Sequence, residues 1–118
     1  MEIFSRSAMA AVALTLFTMA GAPVFAGPML GVNGYKASGS AAIKAGKVEL
    51  SSDFWFAGGP DVYVALKQGD QIQLLGKLRE NSGAQSYALP AGSTGEEADE
   101  ILLWCKKFNV TLGTAAIN

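Results

Sequence analysis

Over much of the chain apolar and polar residues alternate with period two, and glycines punctuate the alternation. The pattern is clearest in DVYVALKQGDQIQLLGKL. There Val62, Val64 and Leu66 face one way, Gln68-Gly69-Asp70 makes a turn, and Ile72 and Leu74 begin the return, which predicts a β-hairpin. YKASGSAAIKAGKVELS reads as two strands, over 35–44 and 47–51, reversed at Ala45-Gly46. AQSYALP gives a further strand closed by Pro90, and NVTLGTAAI gives a last one. Several short strands at close spacing with glycine turns predict an all-β fold, a small antiparallel β-sandwich or barrel-like domain. No internal repeat, low-complexity tract or linker divides it.

One segment, STGEEADEILLWCKKFN, fits two patterns. As a helix, Thr94 and Glu97 form a capping box and acidic residues fill the first turn. Ile101, Trp104, Cys105 and Phe108 then share a face, with Lys106 and Lys107 near the end. As a strand, Ile101, Leu103, Cys105 and Lys107 share one face, while Leu102, Trp104, Lys106 and Phe108 share the other. Apolar residues on both faces describe a central strand covered on both sides. The local pattern slightly favours the helix.

The start of the chain has a different character. The apolar run AMAAVALTLFTMA is followed by Gly21, Pro23 and then VFA, the small-residue pattern that suits a signal peptidase. We expect a signal peptide over 1–26, cleaved after Ala26, an N-terminal tail over 27–33 and a single domain over 34–118. The alternative is an uncleaved anchor, for which the run is short: a span needs roughly 20 apolar residues. Export places the protein outside the cytoplasm, secreted or in the periplasm or cell envelope. No stable membrane insertion is expected once the signal is removed.

Charge and composition then exclude whole classes of function. Without Glu2 and Arg6, the remaining chain has eight Lys or Arg and nine Asp or Glu, a net charge of −1. That balance offers no electrostatic footprint for nucleic acid. The chain contains no histidine, which removes Ser-His-Asp and Cys-His pairs and imidazole ligands for zinc, copper or haem. There is one cysteine, Cys105, so no internal disulfide forms. The thiol is therefore buried as a small apolar residue, paired between chains, or chemically used.

GSAAI, DFWFAGGPDVYVAL, LGKL, GAQSYALP and ILLWCKKFNVTLGTAAI occur in an order that resembles the DM-thirteen domain family, a family of electron-transfer domains. The most specific blocks are Gly59-Pro60-Asp61 before an alternating strand, and Trp104-Cys105 followed by Phe108 and Val110. The resemblance implies a compact, exported, mostly β domain, and on that ground residues 101–108 are read as strand, with a helical turn near residues 96–99. It also implies redox chemistry at Cys105, as a bare thiol or by holding a prosthetic group such as haem. Animal members commonly carry the domain beside a haem-binding DOMON domain. Here it stands alone, so a redox or envelope protein acting with it is a separate molecule.

These readings set the candidate residues. Cys105 is the candidate redox thiol. Lys107 on its face and the adjacent Lys106 would favour thiolate, the reactive form. Attachment of a c-type haem needs two cysteines and a histidine and is excluded. A b-type haem on Cys105 thiolate, with Trp104 beside it, is the remaining cofactor option, and no other cofactor is expected. No metal site is expected: Glu96, Glu97, Asp99 and Glu100 lack the spacing of a calcium loop. Asp53, Trp55 and Asp61 are binding-loop candidates in SSDFWFAGGPDV, against a structural role for Gly58, Gly59 and Pro60. No general base is evident near the thiol, so an independent enzyme is not expected. The competing reading is a non-catalytic binding or structural domain of the cell envelope, with Cys105 inert in its core.

Overall fold

The computed structural model describes residues 25–117, and within them every regular element is a strand. In chain order these are β1 (Phe25–Pro28), β2 (Leu30–Gly31), β3 (Ala37–Ser38), β4 (Ser40–Lys44), β5 (Lys47–Leu50), β6 (Trp55–Phe56), β7 (Val62–Gln68), β8 (Gln71–Lys77), β9 (Gln85–Ala88), β10 (Glu100–Cys105) and β11 (Val110–Ala116). All pairings are antiparallel. One sheet has the order β9-β5-β4-β1 and the other β2-β11-β10-β7-β8, while β3 and β6 form a two-stranded ribbon.

The alternation seen in the sequence builds the core. Ala41 and Ile43 of β4, Val48 and Leu50 of β5 and Tyr87 of β9 come from one sheet. Val62, Val64, Leu66, Ile101, Leu103, Cys105, Leu112 and Ala115 come from the other, and all are buried in one cluster. Two apolar inner faces closing on each other is the β-sandwich expected from the sequence. Burying one such Val, Leu or Ile side chain contributes about 1.5–3 kcal/mol.

The turns follow local chemistry. Ala45 and Gly46, at φ of 51° and 76°, form the tight reversal between β4 and β5, and Gly69, at φ 57°, makes the one between β7 and β8. The expected strand over 35–44 is broken at Gly39, whose φ is 88°. A side chain there would place its first carbon 2.5 Å from Phe54 Cα, so the backbones of the ribbon and β4 meet only at glycine.

Three expectations about local structure are corrected. The strand expected over 101–108 stops at Cys105, because residues 106–109 turn back and Asn109 takes a φ of 52°. Lys107 therefore does not continue the face of Cys105. The expected helical turn is a single reverse turn, closed by the Ala98 N–H donating to the Gly95 carbonyl at 3.1 Å. Thr94 Oγ1 accepts the Glu96 N–H at 3.3 Å within that loop rather than opening a helix.

The N-terminal residues carry more structure than a tail. β1 joins the four-stranded sheet, β2 joins the five-stranded one, and Met29 between them is 1% exposed in the core. The expected signal segment lies outside the described residues except for Phe25 and Ala26, which pair with Ile43 and Ala42.

The two kinds of glycine constraint separate in one experiment. Gly39→Ala combines an unfavourable φ with backbone overlap and is expected to cost about 2 kcal/mol or more. Gly34→Ala, at φ 87° but with nothing within 4 Å, should lose only about 1 kcal/mol. Urea unfolding of both variants, with unchanged slopes and displaced midpoints, is the check.

Candidate functional site

Cys105 is the last residue of β10, placed opposite Val62 on β7 and Val110 on β11. Its side chain is 0% exposed and belongs to the core cluster. Sγ accepts the Phe108 N–H at 3.4 Å, so the turn that follows the strand folds back over the thiol. The seal is thin on this side. Val62 is 7% exposed, Val110 is half-buried, and Lys106, Lys107, Phe108 and Asn109 are all exposed.

The two lysines sit elsewhere than on the sulfur. Lys106 Nζ lies 5.5 Å from the centroid of the Tyr63 ring, and Lys107 Nζ lies 5.4 Å from that of Phe108. Trp104, one residue before the thiol, points to the opposite face of the sheet and is half-buried, facing Tyr63 across the strand pair. Adjacent strand residues alternate faces, so Cys105 and Trp104 cannot line one cofactor site from β10.

The loop candidates divide. Asp61 belongs to this end of the molecule: its carbonyl accepts the Lys106 N–H at 3.1 Å, and its carboxylate lies 3.8 Å from Lys77 Nζ. It holds a φ of 51°, and a short polar side chain tolerates that strain better than most. Asp53 accepts a hydrogen bond from Ser51 Oγ, which in turn accepts the Ser40 N–H at 2.9 Å, so it braces the β4–β6 region. Trp55 projects from the ribbon, 46% exposed, between the core residues Phe54 and Phe56, and its backbone bridges to Ser82. Gly59 packs under Leu112, Tyr35 and Phe56, a close approach that supports the structural role of the glycines.

Among the described residues no group of three or more His, Cys, Asp or Glu is gathered closely enough to hold a metal ion. Two of the acidic residues are held by contacts of their own. Asp99 Oδ2 accepts the Gly69 N–H at 2.8 Å, and Glu100 accepts from Thr114 and lies 3.7 Å from Lys67 Nζ. One cavity of about 230 Å³ is lined by Gln68 and residues 92–97, and another of about 280 Å³ by Glu49, Leu50 and residues 84–86. Neither is lined by Cys105 or Trp104. A haem on this thiolate would need room for its macrocycle at the sulfur, and Cys105 is 0% exposed within the core cluster with neither cavity reaching it. The residues present do not fit that group.

The chain matches the family described as Electron transfer DM13 over residues 31–117, from the second residue of β2 to the end of the described structure. It belongs to the DM13 family. No curated protein and no solved structure matches the chain. The blocks that resemble the family become legible in this DM13 domain. Gly59-Pro60-Asp61 is the entry to β7, and Trp104-Cys105 ends the central strand, so both converge where Asp61 bonds Lys106.

Two features of this end escaped the sequence reading. Strand register places Tyr63 beside Trp104 and Lys77 beside Tyr63, which a single sequence does not supply. Arg79, Tyr87 and Gln85 form a second assembly. The Arg79 N–H donates to Tyr87 Oη at 3.0 Å, its guanidinium lies 4.3 Å from the Tyr87 ring, and Tyr87 Oη donates to Gln85. Its only sequence signal is an arginine near a strand tyrosine, which is too common to single out.

Cys105→Ala removes a fully buried sulfur without creating a new polar group, and is expected to lower stability by about 1–2 kcal/mol. Chemical unfolding of this DM13 domain measures that loss. A change within a few tenths of a kcal/mol would mean that the thiol contributes little to packing.

Proposed function

We propose that this DM13 domain is an exported, redox-linked module that works through Cys105 with a separate protein, the thiol being sealed at rest and reached by opening the turn over residues 106–109. The observation that carries this is local: one exposed four-residue turn, held to Sγ through the Phe108 N–H, covers a sulfur at the very end of its strand. Segments with few buried contacts open at a free energy below that of global unfolding. The family's description as an electron-transfer domain supports redox work as the purpose of such access.

The chemistry is thiol–disulfide exchange. Cys105 Sγ gives its proton to solvent, attacks one sulfur of a disulfide on the other protein, and displaces the second sulfur as thiolate. The chain holds no second cysteine, so the mixed disulfide is resolved by an external thiol, which regenerates Cys105. No imidazole is present to act as base, and the module does not turn over a substrate alone.

The complete burial of Cys105 favours a second reading, a non-catalytic binding or structural domain in which the thiol is packing. Alkylation separates the two. The rate at which iodoacetamide modifies Cys105 is measured against urea concentration and compared with global stability under the same conditions. Local opening gives protection well below the global unfolding constant, and a rate nearly independent of urea below the transition. Protection equal to the global constant, rising and falling with the full unfolding slope, would overturn the redox reading and leave the packing one.

A further inference from the structure

The outer face of the five-stranded sheet ends, beside the 106–109 turn, in a group of aromatic rings and lysines. Tyr63 stands directly opposite Trp104 on one side and Lys77 on the other, so all three project from the same face. That face points away from the core built by Val62, Val64, Leu103 and Cys105. Lys106 extends over Tyr63, and Lys107 over Phe108, which is 61% exposed. Phe108 adds an exposed apolar ring to this group at the tip of a polar turn. Asp61 pairs with Lys77, whereas Lys106 and Lys107 form no ion pair among the described residues.

The opposite end of the same sheet has the reverse sign. Asp70, Glu96, Glu97 and Asp99 gather around the β7–β8 turn and the loop before β10, where Asp99 bonds Gly69. Two groups of opposite sign thus stand at the two ends of this sheet in a nearly neutral domain, and such a distribution orients an approaching partner even when net charge does not.

We infer that Tyr63, Lys77, Trp104, Lys106, Lys107 and Phe108 form a docking surface for an acidic patch on a separate protein. Flat tryptophan and tyrosine rings supply contact area at little entropic cost, and the unpaired lysines meet carboxylates around them. The choice of a protein over a lipid surface follows from magnitude. Lys77 is offset by Asp61, so Lys106 and Lys107 contribute about 1 kcal/mol each at an anionic bilayer, and with Tyr63 and Trp104 half-buried, Phe108 inserts too little apolar surface for stable adsorption. A patch of this size fits a transient contact rather than a permanent complex. The inference stands whether or not Cys105 exchanges.

The test is a backbone-amide NMR titration of the isolated protein with a peptide in which glutamates alternate with leucine and tryptophan. A lysine-substituted peptide and phosphatidylglycerol vesicles serve as comparisons. Shifts are expected at Tyr63, Lys77, Trp104 and residues 106–109, and they should fade at high salt. Lys106→Glu with Lys107→Glu should weaken binding about tenfold or more, and Phe108→Ala by a comparable factor, in each case with an unchanged fold because these side chains are exposed. Equal binding of the lysine peptide, shifts centred elsewhere, or unaltered affinity in the charge-reversed variant would overturn the proposal. Vesicle binding without peptide binding would assign the surface to membranes instead. Shifts that depend on protein concentration before any peptide is added would assign it to a second copy. Because the titration reads binding and alkylation reads access to the thiol, either result can fail without the other.

Discussion

The structure is organised by one central strand that buries apolar residues on both of its faces. β10 is hydrogen-bonded to β7 on one side and β11 on the other, and its inward residues Ile101, Leu103 and Cys105 fill the sandwich core. Its outward residue Leu102 is also buried, at 1% exposure, beside the equally buried Ala65 of β7. A strand with buried apolar residues on both sides has a strongly specified register, since a slip of one residue exchanges two apolar sets of different shape and moves Glu100 or Lys106 to the wrong depth. The neighbouring strands take their positions from it, and so do the turn that closes over the thiol and the ring pair outside.

This explains why the two faces at the end of β10 have such different chemistry. Inward, a sulfur sits in a dry environment with one hydrogen bond and no cation against it. Outward, one residue earlier, an indole stands in register opposite a phenol that carries a lysine over its ring. The period-two geometry of a strand sets these two environments back to back, a few ångströms apart through the sheet. A protein that touches the outer face therefore leans on the same turn that seals the inner one.

How much of this could be read from the sequence follows from which signals are local. The β7–β8 hairpin and the Ala45-Gly46 reversal were legible because alternation and turn chemistry are both written in neighbouring residues. β10 was ambiguous because burial on both faces erases the alternation, and the residues that remain match a helical face as well as a strand. β2, β3 and β6 are two residues long and carry no period at all. The burial of Met29 was invisible for a related reason, since it depends on strands that pair far along the chain. At the candidate site, Cys105 and Trp104 were singled out by family resemblance. Their opposite orientation followed once the segment was read as strand, whereas the placement of Lys106 and Lys107 over rings required knowing that the strand stops at Cys105.

The crossing at Met29 bears on how the domain completes itself. Phe25–Pro28 closes the edge of one sheet and Leu30–Gly31 the edge of the other, so a seven-residue segment staples the two layers together around a buried methionine. Its partners, β4 and β11, lie downstream, the latter at the far end of the chain. A cut after Ala26 would remove the two residues that pair with Ile43 and Ala42, leaving Gly27 and Pro28 to hold that edge against Ala41 and Ser40.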